Sequence, residues 1–342
     1  MRDPACQGDN MAEIRIGNIV AKTQSKAKGT IRVAGRPDGT IIGIPVLVVN
    51  GKDGGPTLLV DGSCHGDEAE GGMAIIKTWQ SLDPSEVKGT LIGVPTANVP
   101  AFEAQSRGNP FDRYYPDMNR VWPGKSDGSM TEMIASVYFN ELLTKANYNW
   151  TMHGGGNILS MKARINVQAA SPDAKSIQLA KGLGPGWDLL AVRREVLPTS
   201  LGGVCEKKGI PHITTELSGA GDRTPERWAH NVLLHVNALQ NLMKHLGMTE
   251  GRAEYPKSWN VVEYSIPRFK NGGILDVLPK CNLGERVEGD EPLLRVLSLL
   301  GDEVETIRAP HKGEIIGVPI CPNAYPGDMA VLVGEIARTI SR

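Results

Sequence analysis

The chain has 342 residues, enough for one large domain or two smaller ones, and its 40% hydrophobic and 22% charged residues are ordinary for a soluble globular protein. The formal net charge of -1 gives no electrostatic case for a nucleic-acid partner or an anionic membrane surface. No run of 18 apolar residues predicts a membrane span. The five cysteines are odd in number and form no CxxC pair, which argues against a disulfide framework and predicts a reducing compartment, the cytoplasm.

The first part of the chain alternates between predicted strands and helices. Residues 1–11 are polar and are expected to form a flexible lead-in. Apolar, β-branched runs at 41–49, 56–60 and 90–95 are typical of strands, and a helical period at 68–81 lies between the last two. A strand, a loop, a helix and a strand in this order predict an α/β unit with a mainly parallel or mixed sheet.

Residues 98–128 interrupt this pattern. They are rich in Asn, Pro, Arg, Asp, Tyr and Gly and show little periodicity. A long irregular segment within a compact domain is usually a functional loop or disordered, and we interpret this one as an ordered binding loop. Beyond it, the sequence predicts helices at 130–146, 172–182 and 225–247 and a short strand at 213–217.

The pattern changes again at about residue 256. From there to the end, short β-like runs alternate with turns, and no helix is predicted. We therefore expect a catalytic domain at 12–255 and a smaller, β-rich C-terminal domain at 256–342.

A candidate metal site follows the predicted strand at 56–60. His65 and Glu68 are the ends of the sequence H-G-D-E, and a His and a Glu three residues apart can face one cation where a strand leads into a helix. Two histidines and one glutamate form an accepted catalytic zinc set that leaves one position open. His153, which follows a predicted strand at 148–152, is the candidate for the second histidine.

The same H-x-x-E spacing also arises by chance. It occurs a second time at His311 and Glu314, in the β-rich segment, with a glycine at its centre and no partner histidine nearby. We interpret this second occurrence as a hairpin turn.

Further candidates lie in the irregular loop and in a later strand. Arg107 and the sequence D-M-N-R at 117–120 suit anion binding or the stabilisation of a developing oxyanion, because arginine presents a fixed fork that matches a carboxylate. A solvated surface loop held by salt bridges is the alternative. Glu216, within the strand at 213–217, either faces solvent or acts as a general base with a pKa raised by partial burial.

The order of these motifs resembles the succinylglutamate desuccinylase/aspartoacylase family, zinc amidohydrolases related to the metallocarboxypeptidases. The motifs are H-G-D-E, then a loop with D-M-N-R-V-W-P-G, then His153, then T-E-L-S-G. The resemblance runs from about residue 40 to residue 342, and residues 117–124 are its most specific part. It implies an α/β, mixed-sheet, zinc-carboxypeptidase-like catalytic domain with a smaller C-terminal all-β domain.

The resemblance also implies roles for single residues. Three residues resemble the ligands of one zinc ion per chain: His65, Glu68 and His153. Glu216 resembles the carboxylate that activates the attacking water, and Arg107 the arginine that polarises the scissile carbonyl. Asn119 and Arg120 resemble the pair that binds a substrate carboxylate.

The implied activity is zinc-dependent hydrolysis of the amide bond of a small N-acylated amino acid or a related amide. Two alternatives stay open: a metallocarboxypeptidase that acts on short peptides, and a catalytically dead binding protein with the same fold. The expected partner is a small-molecule N-acyl substrate, and the β-rich domain could support a dimer or tetramer.

The chain departs from the family pattern at two points. In many relatives an Asp lies two residues before the ligand histidine, where it would fix the tautomer of that histidine, but here the position is Thr151. No arginine stands shortly before Glu216, and Glu206, Lys207 and Lys208 lie there instead. The acyl group and the amine of the substrate are therefore open.

Overall fold

The structure, a computed structural model, describes residues 13–168, 175–193, 197–219 and 223–342. The predicted lead-in at 1–11 lies outside these ranges, as does the beginning of the helix predicted at 172–182. No helix in the described ranges combines the length and the apolar character that a membrane crossing requires.

Within these ranges the α-helices are α1 (Glu70–Ser81), α2 (Val99–Glu103), α3 (Met130–Glu141), α4 (Lys175–Lys181), α5 (Leu201–Lys208) and α6 (Pro225–His245). The first eleven strands are β1 (Glu13–Ile16), β2 (Ile19–Lys22), β3 (Ser25–Gly35), β4 (Ile41–Asn50), β5 (Lys52–Gly62), β6 (Lys88–Val94), β7 (Tyr148–His153), β8 (Leu159–Met161), β9 (Arg164–Gln168), β10 (Leu189–Arg193) and β11 (His212–Glu216). The remaining strands are β12 (Ser258–Ser265), β13 (Gly273–Val277), β14 (Arg286–Val287), β15 (Pro292–Leu297), β16 (Glu303–Arg308), β17 (Gly313–Pro319), β18 (Asn323–Ala324) and β19 (Leu332–Ser341). Short 3₁₀ turns cover Pro84–Glu86, Met118–Arg120 and Leu143–Lys145.

The helices predicted from periodicity are confirmed, with small shifts at their ends. Helix α1 begins two residues later than predicted, and α3 begins at the predicted residue because Ser129 and Glu132 form a capping box before it. Helix α3 ends at Glu141, and the rest of the predicted segment forms the 3₁₀ turn Leu143–Lys145. The loop at 98–128 contains the short helix α2 and a 3₁₀ turn, which apolar periodicity could not predict at that length.

Most strands belong to one mixed sheet. Its order is β14-β17-β19-β12-β10-β9-β11-β7-β5-β6-β4-β3, with β8 paired to β17 off this path. At the centre, β6, β5, β7 and β11 are parallel neighbours, flanked by antiparallel β4 and β9. The carboxyl ends of the four central strands therefore meet at one edge, which is where open α/β sheets bind ligands.

Two helix layers cover the central strands. Because side chains alternate between the two faces along a strand, β7 directs Trp150 and Met152 into the core shared with α1 and α6. The opposite face packs on α3 and α5 through residues such as Leu59 and Tyr138. Asn149, Thr151 and His153 alternate with Trp150 and Met152, so they belong to that second face and put polar groups into it.

Residues 256–342, all of which are described, contain the strands β12 to β19 and no helix. Strands β12 and β19 continue the main sheet from β10, whereas β13, β15, β16 and β18 form a separate four-stranded sheet. The predicted fold class, a mixed-sheet α/β fold with additional antiparallel strands, is confirmed. The boundary at residue 255 stays a prediction, because the main sheet crosses it without a break.

Candidate metal centre and active site

Three buried side chains converge at the carboxyl edge of the central strands: His65, Glu68 and His153. One ligand atom from each lies within 4.8 Å of the others. The Nδ1 atoms of the two histidines are 3.1 Å apart. The Glu68 carboxylate lies 2.9 Å from His65 Nδ1 and 2.7 Å from His153 Nδ1. Two imidazoles and a carboxylate offer several lone pairs to one point, a donor set that suits a single zinc ion.

The electrostatics of this cluster favour positive charge at its centre. Burial lowers the pKa of His65, but the Glu68 carboxylate and the hydrogen bond to Asp117 outweigh it and raise the pKa to about 9. Burial raises the pKa of Glu68, but the two imidazoles hold it well below its usual range. Glu68 is therefore ionised at neutral pH, which is the form that binds a metal.

The backbone between His65 and Glu68 is fixed by a close contact. His65 lies three residues beyond β5, and the Gly66 N–H donates to the Ser106 carbonyl (N···O 2.9 Å). A Cβ at Gly66 would lie 2.0 Å from the carbonyl carbon and oxygen of Ala101, so only glycine fits there. This contact packs the H-G-D-E turn against the start of the long loop.

Asp117 is the residue of the D-M-N-R sequence that touches the cluster. Its Oδ1 lies 3.2 Å from His65 Nε2, which therefore donates to the carboxylate while Nδ1 faces the cluster centre. A carboxylate on the far nitrogen fixes the tautomer and the orientation of a ligand histidine. Asp117 also accepts from Arg107 Nε at 3.2 Å. Sequence reasoning did not assign this contact, although it singled out the motif.

Arg107 lies beside the cluster. Its Nη1 is 3.4 Å from His65 Nδ1 and 3.9 Å from Glu68 Oε1, and 43% of its side chain is exposed. The long loop therefore brings a partly exposed cation next to the three convergent side chains. The oxyanion-stabilising role of Arg107 stays a prediction.

Asn119 and Arg120 lie farther out on the same loop. Asn119 Oδ1 accepts from the Leu201 N–H at the start of α5, 3.0 Å away, which ties the loop to that helix. The Arg120 side chain is 54% exposed, and its Nη1 lies 3.8 Å from Asp117 Oδ2. More than half of the Arg120 side chain is therefore exposed, and Asp117 lies between Arg120 and the cluster.

Glu216 is the last residue of β11, and its Cα pairs with that of His153 on β7. Its carboxylate accepts from Asn166 Nδ2 at 3.2 Å and lies 3.8 Å from the buried guanidinium of Arg164. Sequence reasoning did not place Asn166 or Arg164 beside Glu216, because the pairing depends on the antiparallel register of β9 and β11.

The second H-x-x-E occurrence does not form a comparable cluster. Glu314 pairs with Lys162, and His311 Nε2 lies 3.2 Å from Ser265 Oγ. Among the described residues, the metal-binding geometry is found only at the first occurrence. His311 lies two residues before β17, in the turn that follows β16. The predicted hairpin is wrong, because β16 and β17 belong to different sheets and do not pair with each other.

Comparisons with known proteins agree with this geometry. A model of the succinylglutamate desuccinylase/aspartoacylase catalytic domain matches residues 54–243, more than half of the chain. The chain belongs to the succinylglutamate desuccinylase/aspartoacylase family. The family resemblance in the motifs is thereby confirmed.

Among the relatives of this family member is the N-alpha-acetyl-L-2,4-diaminobutyric acid deacetylase of Halomonas elongata, 27% identical over 308 residues and 87% of each chain. The product-bound structure of the ectoine utilization protein EutE (DoeB) from Ruegeria pomeroyi is 26% identical, with a TM-score of 0.79 over 96% of this chain and 99% of that one. A succinylglutamate desuccinylase from Silicibacter sp. TM1040 has the same fold, with a TM-score of 0.79 at 24% identity, over 97% of this chain and 100% of that one.

The contact at Gly66 gives a first prediction. We expect Gly66→Ala to destabilise the protein by about 1–3 kcal/mol, because the added methyl group must displace the backbone of Ala101. Thermal unfolding measures this change. Gly35→Ala is the matched control, since a Cβ at Gly35 meets nothing within 4 Å. Equal melting temperatures for the two variants would contradict the close contact.

Proposed function

We propose that the chain is a zinc-dependent amidohydrolase that removes the acyl group from a small N-acylated amino acid. The observation that carries the proposal is the convergence of His65, Glu68 and His153 at the sheet edge where β11 ends in Glu216. The similarity to the Halomonas elongata deacetylase, along 87% of both chains, supports amide hydrolysis and suggests an N-acetylated diamino acid as the substrate.

His65, Glu68 and His153 would hold the zinc ion through two nitrogens and a carboxylate oxygen. The chemistry that zinc supplies in such a set is polarisation of a carbonyl and a lowered pKa for water. The chain itself adds the orientation of the ligands, because Asp117 holds the His65 imidazole from its far nitrogen.

Glu216 is proposed as the general base. It would take the proton from the attacking water and deliver it to the leaving nitrogen, so that the amine departs neutral. Its position next to His153 in the register of β7 and β11 supports this role, and the Asn166 amide keeps one carboxylate oxygen in place.

Arg107 and Arg120 are proposed to stabilise two negative charges, one on the carbonyl oxygen of the scissile amide and one on the substrate carboxylate. Arg107, 3.9 Å from Glu68 and partly exposed, would stabilise the charge that develops on the carbonyl oxygen. Arg120, with Asn119, would bind the carboxylate of the amino acid and so fix the amide against the other groups. The exposure of the Arg120 side chain supports a role in binding a ligand.

The peptidase alternative is less well supported. Strand β8 begins six residues after His153 and pairs with β17, so the β-rich segment packs beside the site and would restrict the size of a substrate. Cleavage of short peptides without cleavage of N-acetylated amino acids would favour the peptidase over the amidohydrolase. A folded protein that binds zinc but cleaves neither class would favour the binding-protein alternative.

The proposal is tested first by metal content. We expect about one zinc per chain in the wild type, purified without chelator, and loss of that zinc in His153→Ala, because two ligands alone hold zinc poorly. His311→Ala is the matched control, since His311 belongs to the second H-x-x-E occurrence. Elemental analysis gives the answer, and a wild type that takes up no zinc even when supplied with it would refute the site.

Replacement of Glu216 separates base catalysis from metal binding. We expect Glu216→Gln to retain zinc and to lower kcat by roughly 100-fold or more, because an amide does not accept the proton. Glu263→Gln, an exposed change on β12, is the control. Deacetylation of N-acetylated diamino acids is the assay, and a near wild-type kcat would remove Glu216 from the mechanism.

Replacement of Arg120 tests carboxylate binding. Hydrogen bonds to charged groups contribute about 1.5–3 kcal/mol, so Arg120→Ala should raise KM by roughly tenfold or more and change kcat less. Arg113→Ala, an exposed arginine in the same loop, should leave KM unchanged. The assigned role is wrong if the two variants give the same KM for a substrate with a free carboxylate.

A further inference from the structure

A buried carboxylate lies next to the metal-binding cluster and has no role in the chemistry described so far. Asp61, on β5, is 1% exposed and lies within the sheet face that packs on α3 and α5. A buried ionised carboxylate is costly unless other groups compensate its charge. The groups around Asp61 should therefore include those that compensate its charge.

The two oxygens of Asp61 differ in their contacts. Oδ2 accepts three hydrogen bonds, from Tyr138 Oη at 2.7 Å, Thr151 Oγ1 at 3.0 Å and Asn149 Nδ2 at 3.3 Å. Oδ1 is equally buried and accepts no hydrogen bond from any residue in the described ranges. Neutral donors therefore account for one oxygen only, and no cationic side chain contacts the carboxylate there.

The register of the sheet brings this carboxylate close to a proposed zinc ligand. Asp61 pairs with Thr151 in the parallel ladder of β5 and β7, and His153 lies two residues farther along the same face of β7. Burial raises the pKa of Asp61 to about 6, and the hydrogen bonds from Tyr138 and Thr151 and the charge of His153 oppose this rise. Asp61 and His153 therefore lie on the same sheet face of adjacent strands, two residues apart in the register.

The two proposed ligand histidines differ in whether a carboxylate contacts the imidazole. His65 has a direct carboxylate partner in Asp117, whose Oδ1 lies 3.2 Å from its Nε2. The described hydrogen bonds of His153 involve only Nδ1, which faces His65 and Glu68. Position 151, two residues before His153 on the same face, is a threonine that donates to Asp61.

We propose that Asp61 is a positioning residue for His153, and that it supplies from the neighbouring strand the buried negative charge that an acid at position 151 would otherwise supply. The proposal rests on the proposed function, because it concerns the affinity of the same three-residue site. Asp61 does not touch substrate. It strengthens zinc binding by adding negative charge near His153 and by helping to orient the His153 imidazole. Carboxylates near ligand histidines commonly have this effect.

The opposing interpretation gives Asp61 a structural task alone, the anchoring of α3 through Tyr138. The two interpretations differ in which substitution matters. Asp61→Asn keeps the shape of the side chain and an oxygen for the three donors but removes the charge. Tyr138→Phe keeps the charge and removes the shortest of the three hydrogen bonds.

The experiment measures the zinc affinity of the purified full-length protein by competition with a chromophoric chelator, together with the melting temperature of each variant. We expect Asp61→Asn to bind zinc roughly 10- to 100-fold more weakly than the wild type. Tyr138→Phe should melt at a lower temperature but keep its zinc affinity within about threefold.

An exchange variant supplies the second test, and it also applies if Asp61→Asn fails to fold. Asp61→Thr combined with Thr151→Asp moves the carboxylate to β7 and leaves the same two side chains at the paired positions. We expect this variant to bind zinc with an affinity close to that of the wild type.

Three results would overturn the proposal: an unchanged zinc affinity in Asp61→Asn, an equal loss in Asp61→Asn and Tyr138→Phe, or a folded exchange variant as weak as Asp61→Asn. A wild type that binds no zinc would instead refute the proposed function, so the two failures are distinguishable.

Discussion

The parallel pairing of β5, β7 and β11 is the constraint on which the site depends. In this register Asp61 lies beside Thr151, and His153 lies beside Glu216, so three separate parts of the chain end at one edge of the sheet. A slip of one residue in β7 would turn His153 toward the opposite core, because side chains alternate between the two faces. Trp150 and Met152 resist such a slip, since both are completely buried against α1 and α6. The packing of one face therefore fixes the chemistry of the other.

The face that carries the site contains more polar groups than a hydrophobic core usually does. Asn149 donates to Asp61, and its Oδ1 lies 2.6 Å from Nδ1 of the buried His212. Burial lowers the pKa of His212 to about 3, so this imidazole is neutral at physiological pH and its Nδ1–H can donate to the Asn149 amide oxygen. A connected set of buried hydrogen bonds specifies one arrangement of the strands that carry them. This network therefore fixes the strand positions beneath His153.

What the sequence could predict follows from the range of each interaction. The periodicity of α1 and α6 and the spacing of His65 and Glu68 are local, so they could be recognised in a single stretch of chain. The contact of Asp117 with His65 joins residues 52 positions apart, and the contact of Asp61 with Thr151 spans 90. In the sequence, Thr151 stands where many relatives have an Asp, which indicates the loss of a carboxylate near His153. Across the sheet, a carboxylate lies directly beside Thr151, and only the strand register reveals this.

The site divides its tasks between rigid and irregular parts of the fold. His153 and Glu216 are the last residues of the central strands β7 and β11, and His65 and Glu68 lie in the short turn between β5 and α1. The long loop supplies Arg107 and Arg120, and it is tied down where Asp112 accepts the N–H groups of Tyr114, Tyr115 and Thr131. A loop held at a few anchors can change sequence between them without disturbing the strands. Differences in substrate among members of this fold should therefore concentrate in the loop, while the convergent side chains at the sheet edge stay the same.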